Sequence, residues 1–543
     1  MRGMSSATLA RLGDPLARIC AAMDKYLAHD GLLVVGSMVK ERMKTRFIGF
    51  LLTLAGLGCS GASPLSEAPD GPPRILVLSS TIGYIEPCGC TVDLLLGGID
   101  RIAATVAAER AKGPTAVVVV GPHLFEKDIP AHRAAQEEAK AALISRAFQK
   151  IGVDAVVPTD KELLRGAPFY ANLAQQFGFP DVTANVPQGQ GRVIQLGNLK
   201  LGVLGVVAEG QGVPKGTGTD PFAAATAEAK RLRAAGAHVV LGLSATSRRT
   251  LRKMAKKIPE IDLWALGDHP KEAKVISPVR GRYVIESGDR GRHLGRVILH
   301  EATQPGPLRD PVGDAAREKK RLDLQLQMRR EMYARTKVKA LKSTIATLEN
   351  KIAALSSPDV SGKRLEYTLI PMTKSTHQDP IVERWVSDYN TSLKALNLAS
   401  AGTIQPVPEG GSGYAGIDVC ADCHPDTLKV WRRSLHALAW ETLEADAKTF
   451  DAECVGCHVT GWQKPGGSIL GKVKGLEDVQ CEVCHGPGAL HAELGDGSNI
   501  VRDPPESLCV ECHNAHHSPK FDFERYRPKI LGPGHGKPLA STP

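Results

Sequence analysis

The 543-residue sequence is poor in aromatic residues, which make up 5% of it. Its formal net charge is +10, but the charges are spread along the chain and form no basic patch interleaved with aromatic residues. Nucleic-acid binding is therefore not predicted. The apolar run at residues 47–57 is too short to cross a membrane. The length is sufficient for two or three domains.

The chain is rich instead in the motif Cys-x-x-Cys-His, which occurs four times in its last quarter. Each copy is an attachment sequence for a c-type haem, because its thiols add to the haem vinyl groups and its histidine binds the iron. A pair of zinc ribbons is the alternative, but zinc sites do not require a histidine after every second cysteine. We therefore predict four covalently bound c-type haems, held by Cys420, Cys423, His424, Cys454, Cys457, His458, Cys481, Cys484, His485, Cys509, Cys512 and His513.

Five further histidines in the same region can supply the second axial ligand of each iron. Methionine, the other common axial donor, is absent from residues 414–543. Four haems need at most four distal ligands, so at least one of the five histidines has another role. The candidates, in order of preference, are His436 and His491, then one of His516 and His517, and then His535. His436 lies on a helix-like stretch, residues 426–443, that we expect to fold back over a neighbouring haem.

Covalent haem attachment takes place outside the cytoplasmic membrane, so the chain must be exported. Residues 43–59 have a short basic start, an apolar core and a small residue before Cys59, which is the pattern of a lipoprotein signal peptide. We expect Cys59 to carry a lipid that anchors the protein in the periplasm or cell envelope; ordinary cleavage and an uncleaved anchor are the alternatives. Residues 1–42 are a leader or a mis-assigned start, and residues 60–73 are a linker.

The remainder of the chain divides into three further parts. Residues 74–303 alternate apolar strands with helices, which predicts an α/β domain whose sheet is covered on both faces. Residues 304–400 begin with a breaker-rich linker and then show heptad-like apolar spacing at 338–355, which favours a helical hairpin over an extended coiled coil. Residues 379–396 are the expected second arm. After a flexible linker at 401–413 comes a mostly α-helical and loop multihaem cytochrome c domain, residues 414–543.

Short sequences around the haem motifs support a family resemblance. They are Tyr414-Ala-Gly, Trp431 with Ser434-Leu-His436-Ala, the segments 453–461 and 518–521, and the segment 479–488 with His491. With these features, residues 414–535 resemble the cytochrome c-554 family of tetrahaem cytochromes. The resemblance implies closely packed haems, electron transfer to and from redox partner proteins, and one haem that can lack a sixth ligand.

The α/β segment carries a second resemblance. It rests on residues 83–87, Gly97-Gly98-Ile99 with Arg101, and the segments 181–186, 202–205, 261–262 and 291–296. With these, residues 75–299 resemble the layered metallophosphoesterase fold of periplasmic 5′-nucleotidases. That resemblance implies a two-metal hydrolytic site with ligands after several strands.

The ligand positions of such a site are altered here. Ser80 and Ile82 stand in place of the first Asp-x-His pair, Pro122 in place of an Asp, and Ala245 in place of a His. Because these side chains cannot hold two metal ions, we expect no dinuclear metal centre and no phosphoesterase activity. A single-ion site is a remaining option, formed by His123, Asp160, Asp268 and His269.

Cys88-Gly-Cys90 lies in the loop after the first strand, at the edge where this fold places its chemistry. Two thiols one residue apart form a strained, easily reduced disulfide or a two-thiolate metal clip; an inert buried pair is the alternative. The favoured function is electron transfer through the haems, with the α/β domain used for docking or sensing. A haem-dependent oxidoreductase of a small substrate and a phosphoester hydrolase fused to a cytochrome are the alternatives.

Overall fold

The computed structural model describes residues 70–87, 95–267, 276–514, 517–518, 520–532 and 535. Several predicted features lie outside these residues. They are the signal peptide, the lipidation site Cys59 and five further side chains, which are Cys88, Cys90, Asp268, His269 and His516.

The first sheet has five strands in the order β11-β10-β1-β2-β3. Strands β1, β2 and β3 are parallel, and β10 pairs with β1 and β11 in antiparallel fashion. All six residues of β1 are buried, as expected for a sheet covered on both faces. The strands are β1 Arg74–Ser79, β2 Thr115–Val120, β3 Ala155–Val157, β10 His293–His300 and β11 Arg364–Pro371.

The second sheet has six strands in the order β4-β5-β6-β7-β9-β8. A hairpin joins β4 and β5, while β5, β6, β7 and β9 are parallel. The strands are β4 Arg192–Leu196, β5 Leu199–Val207, β6 Val239–Ala245, β7 Leu263–Leu266, β8 Ser277–Val279 and β9 Arg282–Ile285.

The two sheets pack face to face, with helices on their outer sides. The inner core alternates along each strand, with Val77 and Val118 from the first sheet meeting Leu201 and Leu241 from the second. The outer faces are covered by helices α1 Ile99–Arg110, α2 Ala134–Ile151, α3 Ala167–Phe177, α4 Pro221–Ala234 and α5 Arg248–Lys257. The predicted layered α/β fold is confirmed.

The helical hairpin differs from the prediction. It consists of α6 Pro311–Thr336 and α7 Ala340–Ala354, which bury Leu322, Leu326 and Leu348 between them. The expectation that residues 379–396 form the second arm is wrong. Those residues lie in α8 Pro380–Ser400, which packs on α2 through Val382 and Leu393. Together with β11, this helix extends the α/β domain beyond the predicted boundary at residue 303.

The C-terminal region consists of short helices and loops, as predicted. Its helices are α9 Ile417–Cys423, α10 Pro425–Trp431, α11 Ala439–Ala445, α12 Cys481–His485, α13 Ala489–Leu494, α14 Glu506–Cys512 and α15 Phe523–Tyr526. The expected helical stretch at 426–443 is interrupted, because a 3₁₀ turn at Leu435–Leu438 separates α10 from α11. None of the helices in the described part of the chain combines the length and apolar composition of a membrane span.

Candidate functional site

The four Cys-x-x-Cys-His motifs lie on short helical segments. The first, third and fourth fall on α9, α12 and α14, and the second on the 3₁₀ turn Val455–Cys457. Residues three apart lie on the same side of a helix, so each motif presents its two thiols together. No disulfide joins any of these eight cysteines, and the histidine follows directly. Each motif therefore has the arrangement that attachment of a haem requires.

Three proximal histidines lie opposite another histidine. The ring centroids are 6.1 Å apart for His424 and His491, and 6.1 Å apart for His513 and His436. They are 6.5 Å apart for His485 and His535. Imidazole nitrogens bind metal ions at about 2 Å, so two rings on opposite sides of one iron have centroids ~6 Å apart. All three separations fit axial ligation of one iron by two histidines.

Backbone acceptors orient several of these rings. The Nδ1 atoms lie 2.5 Å from the Ala439 carbonyl for His458, and 2.7 Å from the Val501 carbonyl for His485. That of His491 lies 3.0 Å from the Asp496 carbonyl. A carbonyl can only accept, so Nδ1 carries the proton and Nε2 keeps the lone pair that binds iron.

The second motif differs from the other three. Among the histidines that the structure describes, none has its ring against His458. One of His516 and His517 was ranked above His535 from the sequence. His517 lies towards the α/β domain: burial and then the charge of Arg290 lower its pKa. The structure therefore pairs His535, and not His517, with a proximal histidine. The side of the second motif opposite His458 has no distal histidine among the described residues.

Interactions between thiols of different motifs give the spatial order of the motifs. Cys420 of the first motif hydrogen-bonds with Cys481 of the third, which raises the pKa of Cys420. Burial and then the charge of Cys509 raise the pKa of Cys484 to about 11, so the third and fourth motifs are adjacent. The hydrogen bond between Cys512 and Cys457 lowers the pKa of Cys457 to about 7. The order in space is first, third, fourth, second.

The surface around the motifs suits large apolar groups. Leu435, next to His436, is 84% exposed, and Leu438, Val419 and Val510 are 45%, 43% and 41% exposed. Leu435 and Leu438 flank His436 in the sequence, Val419 precedes Cys420, and Val510 lies within the fourth motif. The donor set, the ring separations and this apolar surface all fit covalent haems.

Glu482, a spacer residue of the third motif, has a structural role that the motif itself does not predict. Its buried carboxylate accepts hydrogen bonds from the N–H groups of Ala415, Gly416 and Gly488 at 2.8, 2.8 and 2.6 Å. These groups precede the first motif and follow the third, so Glu482 holds the two motifs together. An indirect signal for this role of Glu482 is present in the sequence, in the residues that flank the first and third motifs.

The segment before the second motif is bound to the α/β domain. Gln136 on α2 donates to the Asp451 carboxylate at 2.6 Å, and its amide oxygen accepts from Asn397 at 2.6 Å and from the Ala452 N–H at 3.0 Å. Gln136, Asn397 and Asp451 are all buried. Beside them, the Glu453 carboxylate binds Lys140 at 2.8 Å and Arg133 at 2.7 Å. We call this set of residues the interdomain cluster.

Ser80, at one of the ligand positions that the resemblance implies, and Lys161, next to the candidate ligand Asp160, make structural contacts. Ser80 donates its hydroxyl hydrogen to the Gly267 carbonyl at 2.7 Å, and Lys161 donates to the Glu126 carbonyl at 2.8 Å. His123 is fully buried against Phe148 and Phe179. The described residues contain no group of three or more His, Cys, Asp and Glu side chains arranged for a metal ion.

Comparison with known proteins identifies the C-terminal similarity. Residues 419–486 match the model of the family "Cytochrome c554 and c-prime". Cytochrome c-554 from Nitrosomonas europaea is 35% identical over 91 residues, which are 14% of this chain and 39% of that protein. The chain thus spans about two fifths of the length of the curated relative it matches. The C-terminal region is similar to a c-type cytochrome.

The α/β domain is similar to phosphoesterases in its fold. A 5′-nucleotidase precursor from Thermus thermophilus has a TM-score of 0.43 and 13% identity, covering 78% of this chain and 73% of that chain. A calcineurin-like phosphoesterase from Bacillus subtilis has a TM-score of 0.40 and 13% identity, covering 60% and 98%. At this level of similarity nothing about activity follows.

Proposed function

We propose that the protein is an exported cytochrome that transfers electrons through four covalently bound c-type haems. The observation that carries this proposal is the pairing of three proximal histidines with His491, His535 and His436 at the separation that one iron requires. A haem iron with two histidine ligands gains and loses one electron without releasing a ligand. The chain itself supplies the thiols for attachment, the axial imidazoles and the carbonyls that orient them.

The order of the motifs supports a route through the region. The interactions between thiols run from the first motif to the third, then to the fourth and the second. The route therefore has one end at the first motif and the other at the second, beside the α/β domain. We infer that redox partner proteins exchange electrons at the first-motif end.

The α/β domain serves in this proposal as a docked platform and not as a hydrolase. Its contact with the second motif through Gln136 and Glu453 supports docking, and Ser80, Ile82 and Ala245 offer no pair of metal ligands. No dinuclear metal centre and no nucleic-acid partner belong to the proposal. We further propose a periplasmic or cell-envelope location with a lipid anchor at Cys59.

A second function is favoured by the second motif. His458 has no opposing histidine among the described residues, and such an iron would have a position open to a small substrate. The chain would then act as a haem-dependent oxidoreductase, with the other three haems carrying electrons to or from that position.

Haem counting and spin-state measurement test both proposals. A pyridine haemochrome assay should give four haems per chain, and the electron paramagnetic resonance spectrum should show three low-spin haems and one high-spin haem. Replacing His436 by Leu removes a ligand without breaking thioether bonds, so all four haems should remain and a second should become high-spin. His377→Leu, at an exposed site, is the matched control. An unchanged spin ratio in His436→Leu would contradict the ligand assignment, and four low-spin haems in the unaltered protein would exclude the open iron.

A further inference from the structure

The helical hairpin is anchored to the α/β domain at one end and exposed at the other. At the anchored end, the Tyr283 hydroxyl of β9 donates to the Asp314 carboxylate at 2.7 Å and accepts from the Asp310 N–H at 2.8 Å. At the other end, every residue from 334 to 340 is exposed. Because an α-helix rises about 1.5 Å per residue, this end lies roughly 30 Å along α6 from Asp314. We call residues 328–342 the hairpin tip.

One side of α6 at the tip is apolar and is left exposed by the other described residues. Met328 and Met332 are 59% and 44% exposed, and Val338, in the connection between the two helices, is 50% exposed. Leu324 is also exposed and continues the row of methionines, because residues four apart lie on the same side of a helix. Another side of α6, with Leu322, is buried against α7. The helix therefore has two apolar sides, of which one packs inside the hairpin.

The hairpin tip is also strongly basic. Residues 329–342 contain six Lys and Arg residues and one acidic residue, Glu331, so their formal net charge is +5. Arg330 is paired with Glu349 at 2.6 Å. The other five basic residues are exposed and form no ion pair with another described residue; they are Arg329, Arg335, Lys337, Lys339 and Lys342. This positive charge is largely uncompensated within the chain and attracts an anionic partner.

Helix α5 shows that charge alone does not distinguish the tip. Residues 248–257 also contain six Lys and Arg residues, and they contain no acidic residue. The larger apolar side chains of α5, Leu251 and Met254, are buried against the sheet, so its exposed side is charged only. The hairpin tip differs because its basic residues surround exposed apolar side chains.

This combination suits the surface of a lipid bilayer. Anionic headgroups attract basic segments, and apolar side chains enter the boundary between headgroups and acyl chains. Tyrosine is common at that depth, and the Tyr333 ring lies 5.8 Å from the Lys337 ammonium and 5.6 Å from that of Lys342. Lysine can bury its aliphatic stem beside lipid while its charge stays at the headgroups.

We propose that the hairpin tip binds the surface of a membrane that contains anionic phospholipids, with Met328, Met332 and Val338 inserted between the headgroups. A second copy of the chain fits this surface less well, because two tips of net charge +5 repel each other. An acidic protein partner is also less suitable, since lysine is depleted in protein interfaces and the tip carries three lysines.

Flotation of the full-length, haem-loaded protein with lipid vesicles tests this proposal. One set of vesicles is phosphatidylcholine alone, and in the other a third of the lipid is phosphatidylglycerol. We expect the anionic vesicles to bind the protein about tenfold more tightly or better, and this preference should decrease as salt screens the exposed charges. A lipid on Cys59 would strengthen binding to both kinds of vesicle, so it cancels in the ratio of the two affinities.

Two sets of variants separate the tip from the general positive charge of the protein. Replacing Lys337, Lys339 and Lys342 together by Gln should abolish most of the preference for anionic vesicles. The matched control replaces three exposed lysines of α5 by Gln, and it should keep the preference; they are Lys253, Lys256 and Lys257. Met328→Ser combined with Met332→Ser leaves the charge unchanged and should weaken binding to anionic vesicles severalfold.

Hydrogen exchange of the unaltered protein locates the contact without any variant. Anionic vesicles should slow exchange in residues 329–342 and leave residues 248–257 unchanged. The proposal is overturned if the protein shows no preference for anionic vesicles, if both lysine triples lose it equally, or if exchange at the tip does not change. A dimer in solution that the methionine double variant dissociates would assign this surface to a second copy instead. None of these results depends on the haem count or spin states, so the electron-transfer proposal is tested separately.

Discussion

The α/β domain and the haem-binding region are stabilised in different ways. The α/β domain has three clusters of fully buried apolar side chains, one between the sheets and one on each outer face. The described part of the haem-binding region has one small cluster, whose buried members are Leu443, Ala452, Val455, Val459 and Leu470. The α/β domain can fold through its own core. The haem-binding region depends on hydrogen bonds, on contact with the α/β domain and on the apolar surface of its cofactors.

Loss of haem attachment should have the largest effect. Replacing both Cys481 and Cys484 by Ser removes the third attachment site, which contacts the first and fourth. We expect residues 414–535 to lose protection in hydrogen exchange, because the region has little apolar core of its own, while β1, β2 and β6 keep theirs. Val360→Ala, at an exposed position outside the haem-binding region, should leave the exchange pattern unchanged. Full protection of residues 414–535 in the double variant would show that the region folds without its third haem.

The same difference decides how much could be predicted from the sequence. Apolar periodicity located the α/β elements well: α2 spans residues 134–151, as predicted, and β2 spans 115–120. Such elements form from local pattern and bury a continuous face. The pairing of α6 with α7 was missed because the heptad-like spacing marks one helix face and does not identify its partner.

The candidate site shows the same division between features that a short segment of sequence reveals and features that depend on distant residues. The four motifs are contiguous and were found directly. The pairing of a distal histidine with its proximal partner is long-range, since His535 lies fifty residues after His485 and no periodicity connects them. The interdomain role of Gln136 could not be predicted from the sequence either, because a polar residue on a helix is usually exposed to solvent unless a second domain covers it.

The second-largest effect is expected from a change in the interdomain cluster. Gln136→Leu removes the partner of the Asp451 carboxylate, the Asn397 amide and the Ala452 N–H, all of which are in buried surroundings. Each buried polar group left without a partner costs about 1–3 kcal/mol. We expect chemical denaturation to show a separate, earlier transition for the haem-binding region.

Gln149→Leu, at an exposed position of the same helix, is the control for this change. A single transition at the midpoint of the unaltered protein would mean that the cluster does not join the two regions energetically.

Glu482→Gln should have a smaller effect, confined to the haem-binding region. In the unaltered protein, three backbone N–H groups donate to the Glu482 carboxylate. The glutamine amide keeps one oxygen as an acceptor, but its NH₂ group cannot accept a hydrogen bond from these N–H groups. Hydrogen bonds to charged groups contribute about 1.5–3 kcal/mol, so the thermal midpoint of the haem-binding region should fall while that of the α/β domain does not. Glu511→Gln, at the exposed spacer of the fourth motif, is the matched control; an equal decrease in both variants would remove any special role for Glu482.

The smallest expected effect is the response of the interdomain contact to acid. Burial raises the pKa of Glu453, but the charges of Lys140 and Arg133 outweigh it and lower that pKa to about 2, from an ordinary value of 4.5. A carboxyl group whose pKa is lower in the folded state stabilises that state above the ordinary value and loses this contribution as the pH falls towards the folded value. The contact should therefore be at full strength at about pH 6 and weakened at about pH 3.

Solvent reduces this effect, because the Glu453 side chain is 38% exposed. Thermal unfolding at both pH values should show a decrease in the midpoint of the haem-binding region, and Glu453→Gln should make that decrease smaller. Glu506→Gln, at an exposed carboxylate with no ion pair in the described structure, should not alter it. If Glu453→Gln and the unaltered protein lose the same stability between the two pH values, the acid response comes from other groups, and the contact between the regions rests on the hydrogen bonds of Gln136 and Asn397.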